Sequence, residues 1–293
     1  MKRKIRSLLP VAALLLGIAL ILYPTVSEYI NSKHQSRAIE TYHEINTSLR
    51  DEERERILNR ARDYNRRLAA TEDSFFYPER VEGYDDTLDI TGTGIMGYIT
   101  INKINVELPI YHSVKESVLQ IAAGHLPGTS LPVGGEGTHT VISGHRGLPS
   151  AKLFSDLDKI ELGDTFTITI LSELLTYQVD DIQVFLPYEV DTLKAVPGKD
   201  YCTLFTCTPY GINTHRLFIR AHRIDNAEEE PVVYIANEAF RISPIIVTPA
   251  VAAPMLIVLF FVLLFKKPKE KKKRSNSPDL PEDVSISDTS ENT

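Results

Sequence analysis

Three residues that together could move an acyl group lie in the second half of the chain: His145, Cys207 and Arg216. Cys207 ends the run Tyr201-Cys202-Thr203-Leu204-Phe205-Thr206-Cys207, rich in the residue types that favour strands. The turn formers Thr208-Pro209-Tyr210-Gly211-Ile212-Asn213 follow, then a second strand-like run, Arg216-Leu217-Phe218-Ile219-Arg220. Strands joined by so short a connection are expected to be neighbours, so Cys207 and Arg216 can meet across the ladder near its end. His145 arrives on a third strand pattern, Val141-Ile142-Ser143-Gly144-His145-Arg146-Gly147. A thiolate is the reactive form of cysteine, and nearby cations favour it. A guanidinium cannot serve as a base but can hold a developing oxyanion, and imidazole passes protons to leaving and entering amines. The trio suits thioacyl transfer at a peptide bond. Isolated Cys and His residues are more often structural, so the reading requires that the three converge in space.

Cys202 is an internal control. It lies five positions before Cys207, an odd offset that turns the two side chains to opposite faces of a strand. At about 3.3 Å per residue they would stand roughly 16 Å apart, which argues against a disulfide and makes Cys202 a small core residue. The other histidines carry less. His34 and His43 lie on a charged helix, and His112, His125, His139, His215 and His222 lack the paired spacing of zinc sites, so no metal or cofactor is expected. Ser143 is not in a G-x-S-x-G elbow, and Gly134-Gly135-Glu136-Gly137 lacks the Lys-Ser/Thr of a P-loop.

The elements that must position these residues begin with the two ends of the chain. The 293 residues carry 32 Lys and Arg against 39 Asp and Glu, a formal charge of −7 that argues against a nucleic-acid partner. Lys2, Arg3, Lys4 and Arg6 precede an uncharged run from Ser7 to Ser27. That pattern fits a cleaved signal peptide or an uncleaved signal anchor. Ile242–Phe265 is a second uncharged run, of 24 residues, long enough to span a hydrocarbon core despite Pro244, Pro249 and Pro254. Seven cations lie within Lys266–Arg274, so both termini are expected inside the cell and the stretch between them outside. Setting aside these terminal cations and the six acids of the tail leaves the exterior near −12. The tail beyond Arg274 has the composition of a disordered segment.

Between the ends, Ile39, Tyr42, Ile45, Leu49, Ile57, Ala61, Tyr64 and Leu68 recur at helical spacing with a break near Thr47–Asp51. This predicts two amphipathic helices packed against the following domain. Residues 72–94 read as a loop. Seven strand patterns follow: Gly97–Ile101, Val106–Tyr111, Thr138–Ser143, Thr165–Leu171, Leu174–Leu186, Tyr201–Cys207 and Arg216–Arg223. Short helical patches fit at Ser117–Ala123 and Ser150–Leu157. Short strands at this spacing suggest a closed barrel or a sandwich.

Thr203-Leu204-Phe205-Thr206-Cys207 resembles the T-L-x-T-C signature of sortases, and Ser143-Gly144-His145-Arg146 is similar to their histidine segment. Arg216 sits where their catalytic arginine follows the cysteine. The longer runs Cys207-Thr-Pro-Tyr-Gly-Ile-Asn-Thr-His-Arg216, Gly94–Ile99 and Gly144–Pro149 resemble the pilus-assembling class C in particular, as does a second membrane segment. The resemblance implies a mainly β fold: a closed sortase-type barrel of seven to eight strands with short helices, preceded by N-terminal helices and flanked by two transmembrane helices. It implies a cysteine transpeptidase of Gram-positive surfaces that cleaves a Leu-Pro-x-Thr-Gly sorting signal between Thr and Gly. A thioacyl intermediate on Cys207 would pass to a lysine of a second pilin subunit. Rivals are a housekeeping sortase that attaches proteins to a cell-wall precursor, and a membrane-tethered binding module with an inert Cys207. The chain departs from the class at the lid, where an Asp-Pro-aromatic motif is usual. Here Asp73-Ser74-Phe75 is the nearest match, and the expectation is that Asp73 approaches Arg216 while Phe75 shields Cys207. The expected organisation is a signal anchor (1–30), a helical prelude (31–71), a lid loop (72–94), the barrel (95–226), a linker (227–241), a membrane helix (242–265) and a cytoplasmic tail (266–293).

Overall fold

The computed structural model describes residues 2–226, together with Leu256 and Ile257. The expected linker, second membrane helix and tail therefore lie outside the described residues, apart from that dipeptide. Among the described residues one helix, Ala13–Ser48, is long and apolar enough to cross a membrane, with a mean hydropathy of 1.7 in its most apolar window. It belongs to α1 (Lys2–Ser48). Leu15, Leu16, Leu20 and Ile21 are each at least 60% exposed, a surface suited to lipid contact.

Beyond its apolar part, α1 turns one stripe to the barrel. Asn31 donates its amide to the Ser150 carbonyl (2.8 Å), and Gln35 donates to that of Ile121 (2.7 Å). Ile39 and Tyr42 are buried, and the Tyr42 hydroxyl donates to the Met96 carbonyl (3.0 Å) while accepting the Leu171 amide (2.8 Å). Asn46 donates to the Leu171 carbonyl (2.9 Å). Residues three or four apart share one helix face, so these five form a continuous seam. The helix ends where expected. Arg54 donates to the carbonyls of Asn46 (2.6 Å) and Leu49 (2.7 Å), closing α1. α2 (Asp51–Ala70) starts with Asp51, Glu52 and Glu53, which complement its N-terminal dipole. Its buried face, Leu58, Ala61, Tyr64 and Leu68, joins the barrel's main core.

Eight strands close the barrel: β1 (Ile95–Ile101), β2 (Val106–His112), β3 (Ala123–His125), β4 (Thr138–Ser143), β5 (Thr165–Ile170), β6 (Glu173–Phe185), β7 (Asp200–Thr208) and β8 (His215–Ile224). Their order around the barrel is β1-β2-β3-β4-β7-β8-β6-β5, with β2–β3 and β4–β7 parallel and the remaining pairs antiparallel. Alternation sorts β7 into an inner row, with Cys202 and Leu204 in the main core, and an outer row that includes Phe205. Outside, Val141, Leu193 and Phe218 form a second apolar cluster to which Phe75, Leu126 and Phe205 add.

Two expectations about short elements change. The patch at Ser117–Ala123 shortens to a single helical turn, α3 (Glu116–Leu119), because Ala123 is taken into β3. The patch at Ser150–Leu157 is no helix: Leu153 has a positive φ of 38°, and a single 3-10 turn (Leu157–Lys159) follows. Its apolar residues Ala151, Leu153, Phe154 and Leu157 are spaced to plug the core from a loop.

Buried histidines give the barrel a defined response to acid. His125 is fully buried between the Tyr84 hydroxyl (2.9 Å from Nδ1) and the Ser130 carbonyl (2.8 Å from Nε2). His139 is 2% exposed, its Nε2 2.7 Å from the Thr203 hydroxyl. Burial pushes both imidazoles down from 6.5 to about 4. Above pH 6.5 folded and unfolded chains alike hold them neutral; as pH falls from there toward 4, only the unfolded chain takes up protons. Stability should therefore drop across that window by up to about 3 kcal/mol per histidine and level off below it. Urea unfolding in detergent at stepped pH checks this, and His125→Gln should flatten the slope.

Candidate active site

The site is assembled at one end of the β4–β7–β8 ribbon. β7 and β8 place Cys207 directly opposite Arg216. β4 runs parallel to β7 with Ser143 opposite Phe205, so two further residues along each chain lead to His145 and Cys207. That extension is held by hydrogen bonds. The Gly144 amide donates to the Phe205 carbonyl (3.2 Å), and the buried Thr206 hydroxyl donates to the Gly144 carbonyl (2.7 Å). At the other end of the same strand pair, Thr203 meets His139. The two threonines of the Thr-Leu-Phe-Thr-Cys run are thus bolts between the cysteine strand and the histidine strand.

Gly144 is required by packing. A Cβ there would stand 2.6 Å from the ring of Phe154, a fully buried side chain whose amide also donates to the His145 carbonyl (3.1 Å). On the other side of His145, Arg146 keeps only 8% of its side chain exposed and pairs with Asp158 (2.6 Å). Its guanidinium lies 5.8 Å from the Tyr210 ring, and that ring packs so closely on Gly147 that a Cβ there would stand 3.1 Å from it. Tyr210 belongs to the β7–β8 turn, so the histidine segment and the turn after Cys207 clasp each other.

Cys207 and Arg216 are each partly exposed. Both cysteines are free thiols. Burial first, and then the charge of Asp200, push the Cys202 thiol well above its ordinary value, which leaves it inert. His145 Nε2 lies 3.2 Å from the Glu116 carboxylate on α3, a partner the sequence did not reveal. The Arg216 guanidinium donates to the carbonyls of Asn213 (3.1 Å) and His215 (3.0 Å).

The lid expectation needs correction in one half. Asp73 makes no ion pair or hydrogen bond with Arg216 among the described residues. It sits in a turn at positive φ (56°), its carbonyl accepting the Phe76 and Tyr77 amides (3.0 Å each). It borders a cavity of about 1030 Å³ shared with His139, Asp200 and Arg223, toward the opposite end of the strands from Cys207 and Arg216. Phe75 lines the same cavity and also packs against the outer cluster, to which Phe205, two residues before Cys207, adds. Ser74, standing where proline is usual, donates its hydroxyl to the Leu68 carbonyl (2.8 Å), and the Phe75 carbonyl rests against Gly128, where a Cβ would come within 2.4 Å. The segment is therefore anchored to α2 by the Ser74 side chain and to the β3–β4 connection by the Phe75 backbone. Among the described residues no group of three or more His, Cys, Asp or Glu is placed to hold a metal.

Comparison with known proteins agrees with this geometry. The sortase-domain family model matches residues 99–224, which spans β2 to β8 and the last three residues of β1. The structure of sortase C1 from Streptococcus agalactiae is similar at 48% identity and a TM-score of 0.60, covering 65% of this chain and all of that one. Sortase C of Streptococcus pneumoniae, whose structure bears on catalysis and pilin substrate specificity, is similar at 39% identity and a TM-score of 0.59, covering 66% of this chain and all of that one. Sortase A of Streptococcus agalactiae serotype III (strain NEM316) is 31% identical over 117 residues, 39% of this chain; the match spans about half of that relative, 47% of its length. With Cys207 and Arg216 paired at the end of an eight-stranded closed barrel and class C enzymes as its structural relatives, the chain belongs to the sortase family of cysteine transpeptidases, in its class C.

Proposed function

We propose that this enzyme joins pilin subunits, with Cys207, His145 and Arg216 as its catalytic residues. The observation that carries the assignment is the register: Cys207 opposite Arg216 on β8, with His145 delivered beside it by the parallel strand β4. The thiolate of Cys207 attacks the threonine carbonyl of a Leu-Pro-x-Thr-Gly sorting signal. Arg216 steadies the oxyanion, and imidazolium at His145 gives its proton to the departing glycine nitrogen as the C–N bond breaks. A lysine amine of a second pilin then displaces the sulfur, its proton passing to His145, and an isopeptide bond joins the subunits. No cofactor enters this sequence. α1 and a second membrane span at residues 242–265 anchor the enzyme, with both termini on the cytoplasmic side and the barrel outside among its membrane-tethered pilin partners. Cys207→Ala should abolish pilin polymers in cells while the purified protein unfolds at the wild-type temperature. A wild-type ladder from that variant would refute the assignment, and a mass spectrum of the trapped thioacyl enzyme would establish it.

The Asp73-Ser74-Phe75 segment acts in this reading as a lid anchored away from Arg216. Asp73 forms the turn that launches it, and Phe75 packs on the outer apolar cluster to which Phe205 also adds. Phe75→Ala should speed alkylation of Cys207 by a small thiol reagent about tenfold, since losing the ring uncovers the neighbouring strand. Asp73→Ala should act more weakly, through the turn alone. Equal labelling rates in all three proteins would remove the lid.

A further inference from the structure

The Glu116–His145 contact lies outside the three-residue chemistry above, yet it touches the residue that must hand over the proton. Nε2 of His145 is 3.2 Å from one Glu116 carboxylate oxygen, and the other oxygen accepts the side-chain amide of Gln120. A carboxylate ion can only accept, so the proton of a neutral His145 resides on Nε2. Nδ1 makes no hydrogen bond among the described residues and is left for the reacting atoms.

We propose that Glu116 is the positioning residue for His145, its carboxylate holding Nε2–H so that Nδ1 serves the proton transfers. The proposal rests on the catalytic reading of His145 given above. It has the logic of a catalytic base oriented by a third group. During acylation the Sγ–C bond forms, the peptide C–N bond breaks and the Nδ1 proton goes to the departing nitrogen. In the second half an acceptor amine returns a proton to Nδ1 as its nitrogen replaces sulfur.

The support for Glu116 is built into the fold. α3 is a single turn, but Leu119 is buried and lies beside Gly124 of β3, where a Cβ would come within 3.1 Å of it. Gln35 of α1 ties down the carbonyl of Ile121 just beyond it. The hydrogen bond from Gln120 first, and then that from His145, hold the Glu116 carboxyl below its ordinary range, so it is ionised wherever the enzyme works. The other charges around the histidine segment are committed elsewhere. Arg146 pairs with Asp158, Lys152 and Lys159 both pair with Asp156, and Arg216 turns to two backbone carbonyls. Lys115 immediately precedes Glu116, and Cys207, Tyr210 and His215 are the other titratable groups at this end of the ribbon. Among the described residues Glu116 is the one carboxylate on the His145 ring.

Two substitutions separate orientation from charge. In Glu116→Gln the amide oxygen still accepts Nε2–H; in Glu116→Ala nothing does. The full chain in detergent micelles, labelled with 15N-histidine and assigned by difference from His145→Gln, should show neutral His145 protonated on Nε2. That state should persist in Glu116→Gln and become a mixture of tautomers in Glu116→Ala. With a fluorogenic Leu-Pro-x-Thr-Gly peptide, kcat should fall about threefold in Glu116→Gln and about tenfold in Glu116→Ala, with KM unchanged within about twofold. Wild-type protonation on Nδ1, or a Glu116→Ala enzyme indistinguishable in tautomer and kcat, would overturn the proposal. A wild-type enzyme that does not cleave the peptide would defeat the catalytic reading instead, while the tautomer measurement would still decide the role of Glu116.

Discussion

Two buried threonine side chains, Thr203 and Thr206, fasten β7 to the strand beside it, and the active end of the molecule depends on that fastening. Parallel strands cannot be joined by a tight hairpin, so β4 and β7 are brought together by nearly sixty residues of intervening chain. Backbone pairing alone would tolerate a slip, and a slip of one residue would turn Cys207 into the barrel and Cys202 out of it. The hydroxyls specify the register: Thr203 with His139 at one end, Thr206 with Gly144 at the other. Burial of these polar groups is favourable only in the one alignment that pairs them, since an unpaired buried hydroxyl costs about 1–3 kcal/mol.

The same strand pair divides the labour of the two cysteines. Inward, Cys202 is a fully buried, desolvated thiol among apolar side chains. Outward, Cys207 sits at the strand's end opposite a guanidinium. Identical functional groups five residues apart thus differ in chemistry because of which face of one strand each occupies. The histidines divide in a similar way. His125 and His139 are sealed in and serve as hydrogen-bonding core residues, whereas His145, beyond the end of β4, keeps an edge toward solvent.

Much of this was legible in the sequence, and what was not had physical reasons. Strand alternation and the short Thr208–Asn213 turn foretold the Cys207–Arg216 pairing, because hairpin geometry is local. The break between α1 and α2 was legible from the charge cluster at Asp51–Arg56. β3 was missed because three residues, one of them Gly124, carry too little periodicity to separate a strand from a helical patch. The Ser150–Leu157 patch misled because a core-plugging loop and an amphipathic helix share apolar spacing, and only Leu153's backbone tells them apart. Glu116 was invisible because its contact with His145 joins residues 29 apart through tertiary packing. The Asp73–Arg216 pairing failed for a related reason: the Ser74 hydroxyl on Leu68 and the Phe75 backbone against Gly128 moor the segment, tertiary constraints that the local motif does not announce.

One consequence of the seam on α1 concerns height. The exposed apolar side chains from Leu15 to Ile30, interrupted by Glu28, lead along the same helix into Asn31 and Gln35, which grip the loop after His145 and the turn after α3. At about 1.5 Å per residue, those grips begin within a single helical turn of the last exposed apolar side chain, Ile30. A rigid rod rather than a flexible tether therefore joins bilayer and barrel, and it fixes both how far the catalytic end stands from the headgroups and which way it looks. The enzyme works as a fixture of the membrane surface, serving whatever chain is delivered at that one elevation.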